Sequence, residues 1–188
     1  MSPFEFITVL ISIILGLGIT TILTGVAERI KHFHRTRLYA PYVIWICIVF
    51  VLHIYEWWNS FTLRSIEVWS LPMFLFILLY PIVLYVLAHL LFPSNNDQDF
   101  DAKEFYFANY RRYFVISIIL IVLSIIHNLF IEHLDMLSQI GQLTALGIIT
   151  AFVISKTEKE IVHILAASVL LIMLMISLIL SNDTLVNT

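Results

Sequence analysis

Two short constellations carry side chains that could do chemistry inside otherwise apolar stretches. His53 and Glu56 are three residues apart, and Ser124, His127 and Asn128 follow at spacings of three and four. On a helix each set shares one face. Gln139 and Gln142 repeat the spacing of three further along, with Glu5, Glu132, His133 and Asp135 at similar depth. An ionisable side chain within an apolar span is costly, and by default it marks a functional site. A carboxylate, two imidazoles and amides converging there would suit ion or proton movement, with Glu56, His53 and His127 as protonatable relays. Two imidazoles with one or two carboxylates would also suit zinc or iron.

The histidines fall into two layers. His53 and His127 lie near one end of their spans, and His89 and His163 near the other. Two bis-histidine pairs would resemble the six-helix transmembrane b-type cytochromes, which hold two haems in two layers. The bland alternative is that these groups satisfy one another, with Glu56 bonded to Asn59 and to tryptophan N–H groups. Interhelical polar contacts average only about 0.6 kcal/mol, a weak reason to keep a glutamate and two histidines.

Soluble-enzyme chemistry has no foothold. The sequence contains no HExxH, GxSxG, phosphate loop or dinucleotide fingerprint. The single cysteine, Cys47, excludes an intramolecular disulfide and is expected to be a small buried hydrophobe. A net charge of −3 gives no reason to expect a nucleic-acid partner.

The elements that must position these residues follow from composition. The chain is 61% hydrophobic and 12% charged, too apolar for a soluble domain to cover itself. The sequence predicts an all-α, polytopic transmembrane bundle, a single domain over 1–188. Its six spans are 4–28, 38–60, 67–92, 113–132, 136–155 and 160–181, with a juxtamembrane interfacial helix over 102–112. The fifth span carries Ser138, Gln139, Gln142 and Thr144 in its first half, so a five-span topology is the alternative. Ser2-Pro3-Phe4-Glu5 reads as a capping box with proline at the first helical position. Pro41 and Pro72 fall in first turns, Pro93 ends the third span, and Pro81 predicts a kink within it. The acidic segment 95–101 reads as a short solvated loop.

Loop charge gives the bundle a direction. Nine of the ten Lys and Arg residues flank the first, third and fifth connections, and only Arg64 lies elsewhere. The positive-inside rule makes those connections cytoplasmic and places both termini on the non-cytoplasmic side. Trp57, Trp58 and Trp69 would form an outer aromatic belt, and Tyr39, Tyr42, Tyr106, Tyr110 and Tyr113 an inner one.

The first span carries Ser12, Gly16, Thr20 and Thr24 at strict i+4 spacing, with Gly18, Thr21 and Gly25 beside them. Small residues four apart let helices approach closely in lipid. The ridge predicts a helix seam within one chain, or a face between subunits of a homo-oligomer.

The run Gly16-Leu17-Gly18-Ile19-Thr20, the His53/Glu56-Trp57-Trp58 end of the second span, and Pro81, Tyr85 and Leu91-Phe92-Pro93 carry a resemblance. Over the first half of the chain they look like a group of small bacterial polytopic membrane proteins of unassigned function. That resemblance implies a bacterial inner membrane and no particular activity. The leading expectation is an oligomeric, non-enzymatic membrane protein that needs no cofactor. Its polar cluster (His53, Glu56, His127, Asn128, Gln139, Gln142) would serve ion permeation, transport or sensing. The alternatives are a metal or haem protein, and a structural subunit that meets a membrane or cytoplasmic partner through its basic first loop.

Overall fold

Caps and prolines set the helix ends. Ser2 Oγ accepts from the Glu5 N–H at 3.2 Å, and the Glu5 carboxylate accepts from the Ser2 N–H at 2.8 Å, so the capping box is complete. Asp101 accepts from the N–H groups of Lys103 and Glu104 at 2.9 and 3.1 Å. Pro3, Pro41 and Pro72 all sit in first turns, where a missing N–H costs least. The computed structural model describes residues 2–93 and 99–180. Its helices are α1 (Pro3–Lys31), α2 (Ala40–Asn59), α3 (Leu71–Leu90), α4 (Ala102–Phe130), α5 (Ile140–Ser155) and α6 (Glu160–Leu180). Residues 95–98 of the expected acidic loop lie outside the described residues.

Five helices are long and apolar enough to cross a membrane. The exception is α5, whose 16 residues extend only about 24 Å at 1.5 Å per residue. It stops at Lys156, whose φ of 48° returns its N–H to the Phe152 carbonyl at 3.3 Å. Pro81 is buried inside α3, which continues through it as one helix.

In the bundle, α1 packs on α3 and α2, α3 on α4, and α4 on α5, while α6 closes against α2. That leaves α2 near the middle, touching α1, α3, α4 and α6. Contacts define two ends. At one, β1 (Thr36–Arg37) pairs in parallel with β2 (Phe100–Asp101), and Lys103 pairs with Glu160. The nine clustered basic residues flank the connections on this side, which we call the basic end. At the other, Phe4 meets Phe61 edge-on and Thr62 donates to Glu132 at 3.2 Å.

Several sequence expectations change here. The seam of α1 is formed by Ile7, Ile11, Leu15, Gly18 and Ile22, not by the small-residue ridge. A Cβ on Gly18 would overlap the His53 ring, and one on Gly25 the ring of Phe92, so these two glycines permit the close approach. Gly16, Thr20 and Thr24 are exposed, Ser12 is half-buried, and nothing lies within 4 Å of a Cβ on Gly16. The ridge therefore faces outward. Cys47 is exposed on α2, not buried. Residues 102–112 form the opening turns of α4 and run without a break into the fourth span. The five tyrosines expected in an inner belt instead turn inward, each at 7% exposure or less.

Candidate functional site

The last turn and a half of α2 brings Tyr55, Glu56 and Asn59 onto the wall of a cavity at the end away from the basic loops. Phe76 and Tyr80 enter from α3, Ser124, His127 and Asn128 from α4, and Gln142 from the start of α5. The cavity is small, about 110 Å³, and Glu132 lies at its rim, just past α4.

Hydrogen bonds order most of the polar wall. Gln142 Nε2 donates to Ser124 Oγ at 3.1 Å, and Asn128 Nδ2 donates to Gln142 Oε1 at 3.5 Å. Glu132 lies 3.7 Å from His127 Nε2 and accepts from Thr62 Oγ1. The His127 contact first, then Thr62 and Asn59, hold the Glu132 carboxyl below the usual carboxylate range against the opposing effect of burial. Glu56 differs. Its carboxylate has no hydrogen bond or ion pair among the described residues, and its nearest charges are His127 and Glu132. With the nearest imidazole taken up by Glu132, the Glu56 carboxyl is left without a hydrogen-bond partner among the described residues.

A second cavity of about 260 Å³ adjoins the first between α2, α4, α5 and α6. The two share Tyr55, Tyr80, Ser124, Asn128, Leu134 and Gln142. Its deeper walls are apolar, with Trp45, Ile48 and Leu52 from α2, Leu120 from α4, Ile149 from α5 and Leu170 from α6.

Of the expected cluster, the structure brings together Glu56, His127, Asn128 and Gln142. His53 is not among them. It is fully buried against Gly18 of α1, and its Nδ1 donates to the Val49 carbonyl at 2.7 Å, leaving Nε2 without a partner. Gln139 lines the second cavity with its Oε1 unpaired and its amide donating to the Asp135 carbonyl at 3.4 Å. Among the described residues no hydrogen bond joins Glu56 to Asn59 or Trp57. Trp57 and Trp58 point outward at 51% and 38% exposure.

The histidine layers do not pair. His127 faces the cavity while His53 faces α1, so the first pair is separated. His89 is exposed and bonded to Tyr85 at 2.8 Å. His163 is buried among Tyr106, Phe107, Tyr110, Phe114 and Phe152. A carbonyl can only accept, so His163 Nε2 donates to Thr157 at 2.9 Å, and Nδ1 then accepts from the Tyr106 hydroxyl at 3.0 Å. Both nitrogens are committed, and neither is free for iron. Among the described residues no three His, Cys, Asp or Glu side chains gather in a metal-ligand group.

Sequence reasoning missed the aromatic wall. Tyr55 precedes Glu56 and could have been found with it, but Phe76 and Tyr80 lie on a uniformly apolar helix with no spacing signal. Comparison with known proteins does not extend this picture: no family model, curated protein or solved structure matches the chain.

Proposed function

We propose that this protein is a six-span membrane protein that takes up a cation at the Glu56 cavity, for ion permeation, transport or sensing rather than catalysis. The observation that carries this reading is the unpartnered Glu56 carboxylate facing a polar cavity beside an already matched His127–Glu132 pair. A buried charge without a partner is expensive, and a cationic ligand or a proton would relieve that cost.

For six spans, the support is the course of α5. It meets α4 at Asn128 through Gln142 and at Phe114 through Phe152. That separation on α4 is about 21 Å of helix, most of a roughly 30 Å hydrocarbon layer. The clustered basic loops support a cytoplasmic basic end, with both termini and the cavity on the other side. A bacterial inner membrane agrees with that orientation. The outward ridge of Ser12, Gly16, Thr20 and Thr24 supports a homo-oligomer, since small residues on an open helix face suit close packing in lipid.

Proteoliposomes carrying pH- and potential-sensitive dyes test the reading. Proton or cation flux that falls at least about tenfold in Glu56→Gln supports it, and flux indifferent to that change overturns it. Particle mass in detergent tests the oligomer. Gly16→Leu should yield monomers, and an unchanged mass would remove the ridge from the interface.

A further inference from the structure

The cavity is shaped for more than a bare ion. Two features of the polar lobe select its ligand, one by charge and one by surface. Glu56 supplies an unmatched carboxylate, and the Tyr55, Phe76 and Tyr80 side chains line the same space. Aromatic faces attract organic ammonium groups electrostatically, most effectively where water is excluded. A hard metal ion would want several converging oxygens, whereas Ser124, Asn128 and Gln142 here already bond one another.

The adjoining lobe rules on the rest of the ligand. About 260 Å³ walled mainly by Trp45, Ile48, Leu52, Leu120, Ile149 and Leu170, with Gln139 and a few serines among them, presents far more apolar surface than a proton or a small hydrated cation would use. It would take an alkyl or aryl body, as apolar walls with a few convergent polar groups do in ligand pockets generally. We propose that the ligand is an amphipathic organic cation, with its ammonium beside Glu56 and its apolar body between α2, α4, α5 and α6. This rests on the cation-site reading above and names the ligand class for that site. An amphipathic acid would meet Glu56 as a like charge. A neutral amphiphile would leave Glu56 unmatched.

The test uses the full chain in phosphatidylcholine nanodiscs, with binding to empty nanodiscs subtracted. The probes are octyltrimethylammonium, tetramethylammonium and octanoate, followed by calorimetry. Octyltrimethylammonium should bind saturably and at least about tenfold tighter than either comparator. Glu56→Gln should weaken it by a similar factor. Leu170 and Leu174 of α6 both line the apolar lobe, so Leu170→Trp and Leu174→Trp should remove the advantage of the octyl chain and leave tetramethylammonium binding intact. Two variants guard against one misfolding, and a monodisperse profile in size-exclusion chromatography qualifies each. If tetramethylammonium binds as tightly as the octyl probe in a Glu56-dependent way, the amphipathic ligand is overturned but the cation site stands. If neither cation binds, or both bind regardless of Glu56, the cation site fails as well. Octanoate binding as tightly as octyltrimethylammonium overturns the assignment of charge.

Discussion

The two ends of this bundle use the same residue types for opposite purposes. At the basic end His163 sits in a cage of five aromatic rings with both nitrogens bonded. Tyr42 closes that end further by donating to the Leu91 carbonyl at 2.8 Å. At the other end His127 stands on a cavity wall, 3.7 Å from Glu132, beside a glutamate with no hydrogen-bond partner among the described residues. Burial alone would rank His163 as the more suspicious residue, since it is only 1% exposed. The difference teaches that a polar group in a membrane bundle is informative when its valences are open, not when it is merely deep. The aromatic end uses His163, Tyr106 and Tyr42 to hold helices together, while the cavity end leaves a carboxyl group in reserve.

Truncating the knot should give the largest effect. Phe114 touches Trp45, Tyr110, Phe152 and His163, so Phe114→Ala should cost about 3 kcal/mol. Denaturant titration of helix content in detergent would measure it, and a loss below about 1 kcal/mol would mean that the knot is not the stabilising end.

His163→Phe keeps the ring but strands the Tyr106 hydroxyl and the Thr157 carbonyl. A cost of about 1–3 kcal/mol is expected from the unpaired groups. Equal stability would instead show that those groups find water, and the cage would not be closed.

Glu132 sharpens the comparison from the cavity side. Its carboxyl is held below the ordinary range in the folded protein, so its contribution is present above the unfolded value, near pH 4.3, and is lost as pH falls through the folded value. Glu132→Gln should therefore lower stability by about 1 kcal/mol at pH 7. Melting curves of the two proteins should converge as the pH drops below about 4. A gap that persists at low pH would assign the effect to packing instead of charge.

Glu56→Gln should have the smallest effect on folding, within about 0.5 kcal/mol or slightly stabilising, because it removes a charge that has no partner. The same thermal melts would decide it. A clear loss of stability would give Glu56 a structural role and erase the contrast between the two ends.

Much of this was legible before any coordinates. Ser2, Asp101 and the first-turn prolines marked helix ends because capping is local chemistry, decided by residues three apart. Glu56, His127, Asn128 and Gln142 were found by helical spacing, and the fold places them on one cavity. His53 was not separable from Glu56 by spacing. Three residues turn a helix by about 300°, leaving the two side chains roughly 60° apart, and on a central helix that angle is enough to face different neighbours. Periodicity gives a face but not the helix opposite it. The ridge on α1 failed for a related reason. Small residues lie on two of its faces, and the choice fell to Gly18 and Gly25 because His53 and Phe92 supply rings to fill the notches. Nor does residue type tell an inward tyrosine from one at a lipid boundary, which is why the inner belt proved to be core.

Those two notches also have a mechanical consequence. Gly18 and Gly25 are two turns apart, about 10 Å along the axis, and they admit the His53 ring from α2 and the Phe92 ring from just past the end of α3. A helix keyed at two heights to two neighbours can neither slide nor rotate without driving a ring into backbone. α1, α2 and α3 are interlocked in this way, whereas α5, the shortest helix, is held mainly by α4 and touches α6 only sparsely. The molecule thus has a keyed side, α1 to α3, and across the bundle a short helix whose place depends on its packing against α4.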